Sequence, residues 1–315
     1  GGTDVTVTDA NAVLGRLNPD AILGGGLEIE LEAAREAVRR DIADPLDLSV
    51  TEAAAGVLAV VNNKMKKELS LALTQQGYDP RDFALVVYGG AGPMHAPAIA
   101  KELSIDRVIV PPRPGINSAV GLLATDRKRL YERSVVEPLD AASVDHHFES
   151  LEGDALADLP DVPAEAVSFE RELELRYAGQ SYDLRVHAPE GKPRDALREA
   201  FDTQHQEAYG HVSDQPVETM TYRLTITIDT DKLAADSMAT DRQRVQTQPD
   251  SHREVYFGEQ YYDVPVYERA RLGVGATFDG PAIVEQTDTT VVVEPGMTAS
   301  LDEFDNLVLD TGVHE

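Results

Sequence analysis

The 315-residue chain contains no cysteine. That excludes disulfides, thiolate metal sites and a cysteine nucleophile. No run is long and apolar enough to cross a bilayer, and no N-terminal segment has the pattern of a secretory signal. There is no initiator Met. The chain opens on Gly1-Gly2-Thr3 and enters a strand-like segment, DVTVT, at once, which suggests a piece of a longer protein. The best-known phosphate loops are missing too. A dinucleotide loop needs G-x-G-x-x-G, but Gly90-x-Gly92 is followed by His95 where the last glycine belongs. A P-loop needs a lysine directly after its glycines, and Lys101 lies too far into the next helix. No nucleophile elbow, HExxH motif or EF-hand loop occurs.

Basic residues are also scarce. Lys and Arg number 28 against 56 Asp and Glu, a net charge of −28. The basic set is mostly arginine, with few lysines such as Lys64, Lys66, Lys67 and Lys101. The acidity runs along the whole chain instead of gathering in a tail. A cation-binding protein is one reading. A surface adapted to high salt is the better one, because carboxylates keep a chain hydrated and self-repelling where salt screens charge over short distances. A halophilic, cytoplasmic protein is expected. The charge argues against nucleic-acid partners, which need a basic face, and no membrane partner is expected.

The most informative stretch is FALVVYGGAGPMHAPAIA, residues 83–100. Phe83 to Tyr88 reads as a buried strand. Gly89, Gly90 and Gly92 with Pro93 make a glycine-rich turn, a short helix with Ala98, Ile99 and Leu103 on its apolar side follows, and Val108 to Val110 reads as a second strand. Glycines permit close backbone approach, and the first turn of a helix offers unpaired N–H groups to a ligand. An ordinary tight turn that binds nothing has the same pattern, so the residues alone leave both readings open.

Residues 1–131 read as α/β. Helices are expected over Glu28 to Ile42 and from a capping box at Ser49 and Glu52 to a stop at Gly77. Asn62 and Asn63 at mid-helix suggest a helix–helix polar contact. Pro114-Gly115 leads into a small-residue helix, Ser118 to Ala124. From residue 132 the texture becomes β-rich, and 132–315 is expected to form a C-terminal domain with one or two helices, most simply a small barrel or sandwich. Residues 140–166 read as an acidic connector. Glu170 to His187 suggests a hairpin around Ala178-Gly179, Leu197 to Tyr209 a helix, and Met220 to Ile228 a half-buried strand. Residues 230–254 read as a loop, and short strands follow to the end.

Asp9 and Asn11, after the DVTVT segment, could face a cleft and hold a metal or substrate, but local logic favours the cap of the next helix. His95 could polarise a ligand, although a histidine at a helix start more commonly packs against its surroundings. His205 and His211 do not share a helix face and show no third ligand, so no metal site is expected there. His146 and His147 read as surface. These residues form no complete catalytic set, and the catalytic residues stay unknown.

At VTDANAVLGRLNPD and FALVVYGGAGPMHAPAIAKELSIDRVIVPPRPGINSAVGLL the chain resembles the hydantoinase A family. This family includes N-methylhydantoinase A subunits, 5-oxoprolinase and acetone and acetophenone carboxylase subunits. LRYAGQSYDL, Phe201 to Gly210 and GPAIVEQTDTTVVVEPGM continue the likeness over nearly the whole chain. The resemblance implies the later part of such a subunit: the end of an actin/Hsp70/sugar-kinase-type ATPase domain, then a β domain. It implies ATP with Mg²⁺ as cofactors, the metal ligands lying mainly outside this stretch. Gly89, Gly90, Gly92, Pro93 and Met94 would sit at the adenosine-binding motif. It also implies ATP-driven activation of a cyclic amide, or of a ketone in the carboxylase branch, with a hydantoinase B-type subunit as partner. A non-enzymatic assembly module is a third reading.

Overall fold

The first helix forms where the alternation of DVTVT suggested a strand. In the computed structural model, which describes residues 2–20, 23–26, 28–229 and 248–313, Thr6 caps α1 (Val7–Val13). Its hydroxyl accepts the Asp9 N–H at 3.2 Å, and the Asp9 carboxylate accepts the Thr6 N–H at 2.8 Å. This reciprocal cap satisfies two orphan donors and overrides the β propensity of Val5 and Val7, which pack on a helical core instead. The second expected helix is α2 (Leu31–Val38), continued by a π-helical turn, Arg39–Ala43, into the short α3 (Asp44–Leu46). The Ser49–Glu52 capping box starts α4 (Val50–Thr74), and Gly77 follows its end at φ +77°. Helices α1, α2 and α4 share a core that includes Ala10, Val13, Val38, Ala54 and Leu58.

Next come β1 (Leu85–Val86), α5 (Gly92–Glu102), β2 (Arg107–Val110) and α6 (Asn117–Leu123). The run Phe83 to Tyr88 is not the buried strand expected. Only two residues pair, parallel to β2, and Phe83, Val86 and Tyr88 are exposed. The reason is position: β1 is the edge of its sheet, with no strand beyond it among the described residues.

The chain then builds β3 (Arg127–Pro138), α7 (Val144–Ala157), β4 (Val167–Tyr177), β5 (Leu184–His187), α8 (Arg194–Tyr209) and β6 (Val217–Ile228). These strands form an antiparallel sheet of order β3-β6-β4-β5. Its buried face and the two helices share a core that includes Phe148, Leu151, Phe201, Tyr222 and Leu224. Residues 140–166 are therefore not a solvated connector, because Phe148, Leu151 and Ala155 anchor α7 to the sheet. The hairpin around Ala178-Gly179 forms as β4 and β5. In β6 the buried phase holds for Tyr222, Leu224, Ile226 and Ile228, whereas Met220 falls out of it where the pairing with β4 shifts register.

The last segment supplies β7 (Ser251–Phe257), β8 (Gln260–Glu268), β9 (Thr277–Asp279), β10 (Ala282–Gln286), β11 (Thr289–Val293), β12 (Thr298–Leu301) and β13 (Leu307–Asp310). Of the loop expected over 230–254, residues 230–247 lie outside those described, and 251–254 belong to β7. Strand β13 runs antiparallel to β2, giving a five-stranded sheet β1-β2-β13-β12-β9. The other sheet is β11-β10-β8-β7. Val108, Val110, Leu307 and Leu309 of the first and Val284, Val291 and Val293 of the second lie in one core. The alternate residues Ile283 and Val292 join Leu17, Met94 and Phe257 on the opposite side of the second sheet. That sheet is buried on both faces, which explains why every residue of β11 is buried and why Val291, Val292 and Val293 follow one another without a polar break. Among the described residues no barrel closes. The arrangement is mixed α/β with several open sheets, two of them packed in the manner of a sandwich.

Two compact units result, Gly1–Leu122 with Leu233–Glu315 and Leu123–Lys232. The expected division at 131/132 is therefore not followed by the compact units. The chain leaves the first unit near that point but returns to it, because β13 completes the sheet that β2 begins. Paired Arg127 and Ile228 bring the two ends of the intervening unit side by side.

Candidate functional site

The glycine turn lies within the first unit, where β1 ends and α5 begins. Gly89 has φ +91°, and a Cβ built there meets nothing within 4 Å. An L side chain is strained in that conformation, so glycine here serves the backbone turn. Gly90 is different: a Cβ would stand 3.3 Å from the Asp288 carbonyl oxygen. At Gly92 it would stand 2.9 Å from the Val87 Cγ2. These two glycines admit close packing. Pro93 stands in the first turn of α5, and the N-cap Ala91 makes no side-chain capping bond. Pro93 has no N–H to offer and the Met94 N–H donates to the Ala91 carbonyl at 3.1 Å, so neither position needs a side-chain cap.

A cavity of about 290 Å³ opens beside this turn. Gly90, Ala91 and Met94 line it, together with Thr8, Leu17, Asn18, Ile29 and residues 285–290. Leu17, Ile29 and Met94 give it apolar walls, while Thr8, Asn18, Glu285 and Asp288 supply polar groups. Glu285 is held by an ion pair with Arg253 and a 3.5 Å hydrogen bond from Asn18. The mixture of apolar wall and few polar groups is that of a small-molecule site, at the small end of such pockets. Larger concavities, about 780 Å³ along α4 in the first unit and about 520 Å³ along α8 in the second, are open surface grooves.

The tip of the β10–β11 hairpin forms one side of the cavity, and three of its side chains reach the loops that follow β1 and β2. Thr289 Oγ1 donates to the Gly90 carbonyl at 2.9 Å. Asp288 Oδ2 accepts the Gly115 N–H at 2.8 Å. Gln286 Nε2 donates to the Pro112 carbonyl at 2.7 Å and its Oε1 accepts from the buried Arg269 at 3.2 Å. The two loops also join each other, the Gly89 N–H donating to the Pro114 carbonyl at 2.7 Å. The sequence reading placed none of these hairpin residues in a site.

Asp9, Asn11 and His95 do not line this cavity. Asp9 serves the α1 cap. Asn11 is 1% exposed, donates from Nδ2 to the Val7 carbonyl at 3.0 Å and leaves its Oδ1 without a partner. His95 is buried, with Nδ1 2.8 Å from the Asn62 Oδ1. Because an amide oxygen only accepts, Nδ1 must carry the proton. This is the α4–α5 polar contact expected of Asn62. Burial, and secondarily the Arg16 charge, push the His95 pKa below its ordinary value. Burial also lowers that of Arg16, against the opposing charge of Glu294 at 3.6 Å. His205 is fully buried, its Nδ1 donating to the His211 carbonyl at 2.8 Å and its Nε2 3.2 Å from the Gln180 amide nitrogen. His147 is half-buried, not on the surface, with its ring 4.6 Å from that of Tyr222. Among the described residues no group of three or more histidines and carboxylates is placed to hold a metal, and no helix is long and apolar enough to cross a membrane.

Comparison with known proteins gives this geometry a context. The model of the hydantoinase/oxoprolinase family matches residues 1–130, and that of the hydantoinase/oxoprolinase C-terminal domain matches residues 137–311. Caprolactamase subunit alpha of Pseudomonas jessenii is 31% identical over 319 residues, covering 96% of this chain and 46% of its own length. A crystal structure of the ATP-dependent caprolactamase from that organism superposes with a TM-score of 0.75 at 30% identity, over 99% of this chain and 47% of the other. A nucleotide-free structure of acetone carboxylase, an enzyme of ATP-dependent acetone carboxylation, superposes with a TM-score of 0.83 at 27% identity, over the same shares of each chain. The chain thus spans less than half the length of these relatives.

Proposed function

The chain belongs to the hydantoinase/oxoprolinase family, and on that premise we propose that it is part of an A-type subunit that couples ATP to the opening of a cyclic amide. The observation that carries the reading is the turn at Gly89 to Gly92, set between a cavity and the start of α5, in a chain whose relatives include an ATP-dependent caprolactamase.

The residues present fit part of a nucleotide. Gly89 is open to approach, Gly90 and Ala91 present backbone at the cavity mouth, and Leu17, Ile29 and Met94 offer an apolar wall to a base or ribose. A cavity of about 290 Å³ suits such a portion and leaves the phosphates to lie beyond it. Bound ATP would supply a phosphoryl group that converts an inert amide oxygen into a leaving group. Positioning and charge neutralisation dominate such transfers, and this chain's share is positioning. Gly89, Gly90 and Ala91 hold the backbone against the ligand, and α5 turns its N-terminal dipole towards negative charge. On this reading the Mg²⁺ ligands lie mainly in the remainder of the subunit. Pro93 stiffens the helix start and Met94 closes the apolar wall. The reading includes an actin/Hsp70/sugar-kinase-type ATPase frame, a hydantoinase B-type partner and a high-salt cytoplasm.

A second reading, a subunit of an ATP-dependent ketone carboxylase, draws on the higher TM-score to acetone carboxylase. The test is ATP turnover by the full subunit with its partner, measured with lactam, hydantoin, 5-oxoproline and ketone plus bicarbonate in turn. Turnover stimulated by a cyclic amide supports the first reading, and stimulation only by ketone plus bicarbonate the second. ATP turnover in none of them refutes both.

A further inference from the structure

The geometry points to the β10–β11 tip as a clasp whose residues Gln286, Asp288 and Thr289 position the two glycine-bearing loops for their ligand. The inference rests on the reading of those loops as a nucleotide site, but it concerns different residues, nearly two hundred positions further along the chain.

The tip is polar in a setting that is not. Strands β10 and β11 are apolar over Ala282 to Val284 and Val291 to Val293, and the polar run EQTDTT covers their facing ends and the turn that joins them. Thr289 is buried and Gln286 and Asp288 are half-buried; polar groups withdrawn from water need partners, and these find the loop backbones. Thr289 takes the Gly90 carbonyl, Asp288 the Gly115 N–H and Gln286 the Pro112 carbonyl. Each bond fixes main chain, so what is held is the path of the loop, not a side chain.

The glycines agree with this. A Cβ at Gly115 would stand 2.7 Å from the Asp288 carboxylate, and one at Gly90 3.3 Å from the Asp288 carbonyl. Both glycines therefore make room for the same residue. Arg269, 2% exposed, anchors the clasp from behind. It donates to the Gln286 amide and also to the Val110 and Asp305 carbonyls at 2.9 and 2.8 Å. The hairpin cannot shift without disturbing the end of β2. The clasp residues stand at the rim of the cavity that Gly90 and Ala91 share, so they set its width.

The test uses the full subunit with two readouts: amide hydrogen exchange at Gly89, Gly90, Ala91, Gly92 and Gly115, and calorimetric titration with ATP. Thr289→Val removes the hydroxyl shared between the Gly90 and Gly89 carbonyls and Asp288→Ala removes the bond from Gly115, and each should speed exchange in the loops about fivefold, with a parallel loss of ATP affinity. Thr289→Ser keeps the hydroxyl and Asp288→Asn keeps an acceptor, and both should restore wild-type behaviour. If the first two variants do not fold, Gly115→Ala probes the clasp from the other side, and its Cβ should loosen the Gly89 to Gly92 amides. Unchanged exchange in folded Thr289→Val, Asp288→Ala or Gly115→Ala overturns the clasp. Faster exchange in a full subunit that binds no ATP keeps the clasp and rejects the nucleotide reading instead.

Discussion

The buried pair of His95 and Asn62 allows a prediction of both size and sign. His95 stands one turn into α5, and its Nδ1–H donates to the Asn62 Oδ1 of α4 at 2.8 Å, with the two residues 6% and 8% exposed. His95→Leu deletes the donor and leaves a buried amide oxygen unpaired, which costs about 1–3 kcal/mol. In a unit of this size that lowers Tm by about 2–4 °C for each kcal/mol. Replacing both partners, His95→Leu with Asn62→Leu, leaves no orphan and should recover most of the loss. The pH dependence follows from the lowered pKa, caused first by burial and then by Arg16. A depressed histidine binds fewer protons folded than unfolded. Its contribution is therefore complete above the ordinary value of about 6.5 and is lost as pH falls through the lower folded value. Urea unfolding of wild type and double variant across that window separates this histidine from the carboxylates common to both. The wild type's advantage should shrink on acidification. A single variant as stable as wild type, or an advantage that grows at low pH, refutes the reasoning.

Two further predictions follow from charge and topology. With a net charge of −28, thermal melts from dilute buffer to molar KCl should show Tm rising with salt, and a flat or falling curve refutes the high-salt reading. Residues 123–232, which own a complete core and paired end strands, should unfold cooperatively when expressed alone. In residues 132–315 the strands after β6 should stay unfolded, since β13 then lacks the β2 partner it pairs with; slow amide exchange in β12 and β13 of that piece would contradict the topology.

Local signals were legible and distant pairings were not. Ser49 and Glu52 announce α4 because both halves of the cap lie within four residues. Thr6 and Asp9 form the same device, but Asp in place of Glu hid it behind the alternation of DVTVT. Helix α7 carried a signal that its acidity masked: Phe148, Leu151 and Ala155 recur at helical spacing. By contrast, nothing in Phe83 to Tyr88 says that its strand will be an edge, because exposure depends on the neighbours a strand receives. The return of β13 to β2 is equally silent. Both strands are short and apolar, and their register is written nearly two hundred residues apart.

The glycine turn shows most clearly what a motif leaves out. In sequence, Gly89, Gly90 and Gly92 carry one signal, a backbone able to approach a ligand. In three dimensions they separate by cause. Gly89 is required by its positive φ and faces open space, whereas Gly90 and Gly92 are required by neighbours that would meet a Cβ at 3.3 and 2.9 Å. Only the first has open space where a Cβ would stand, although it is Gly90 whose backbone lines the cavity. The second admits the hairpin, and the third admits Val87. A large side chain at Gly90 would therefore displace Asp288 before it met any nucleotide. Lost binding in such a variant would report on the clasp as much as on the ligand. Gly89→Ala, which strains one residue and touches nothing, is the cleaner probe of the turn itself. Asp288 and Thr289 are the cleaner probes of what holds it.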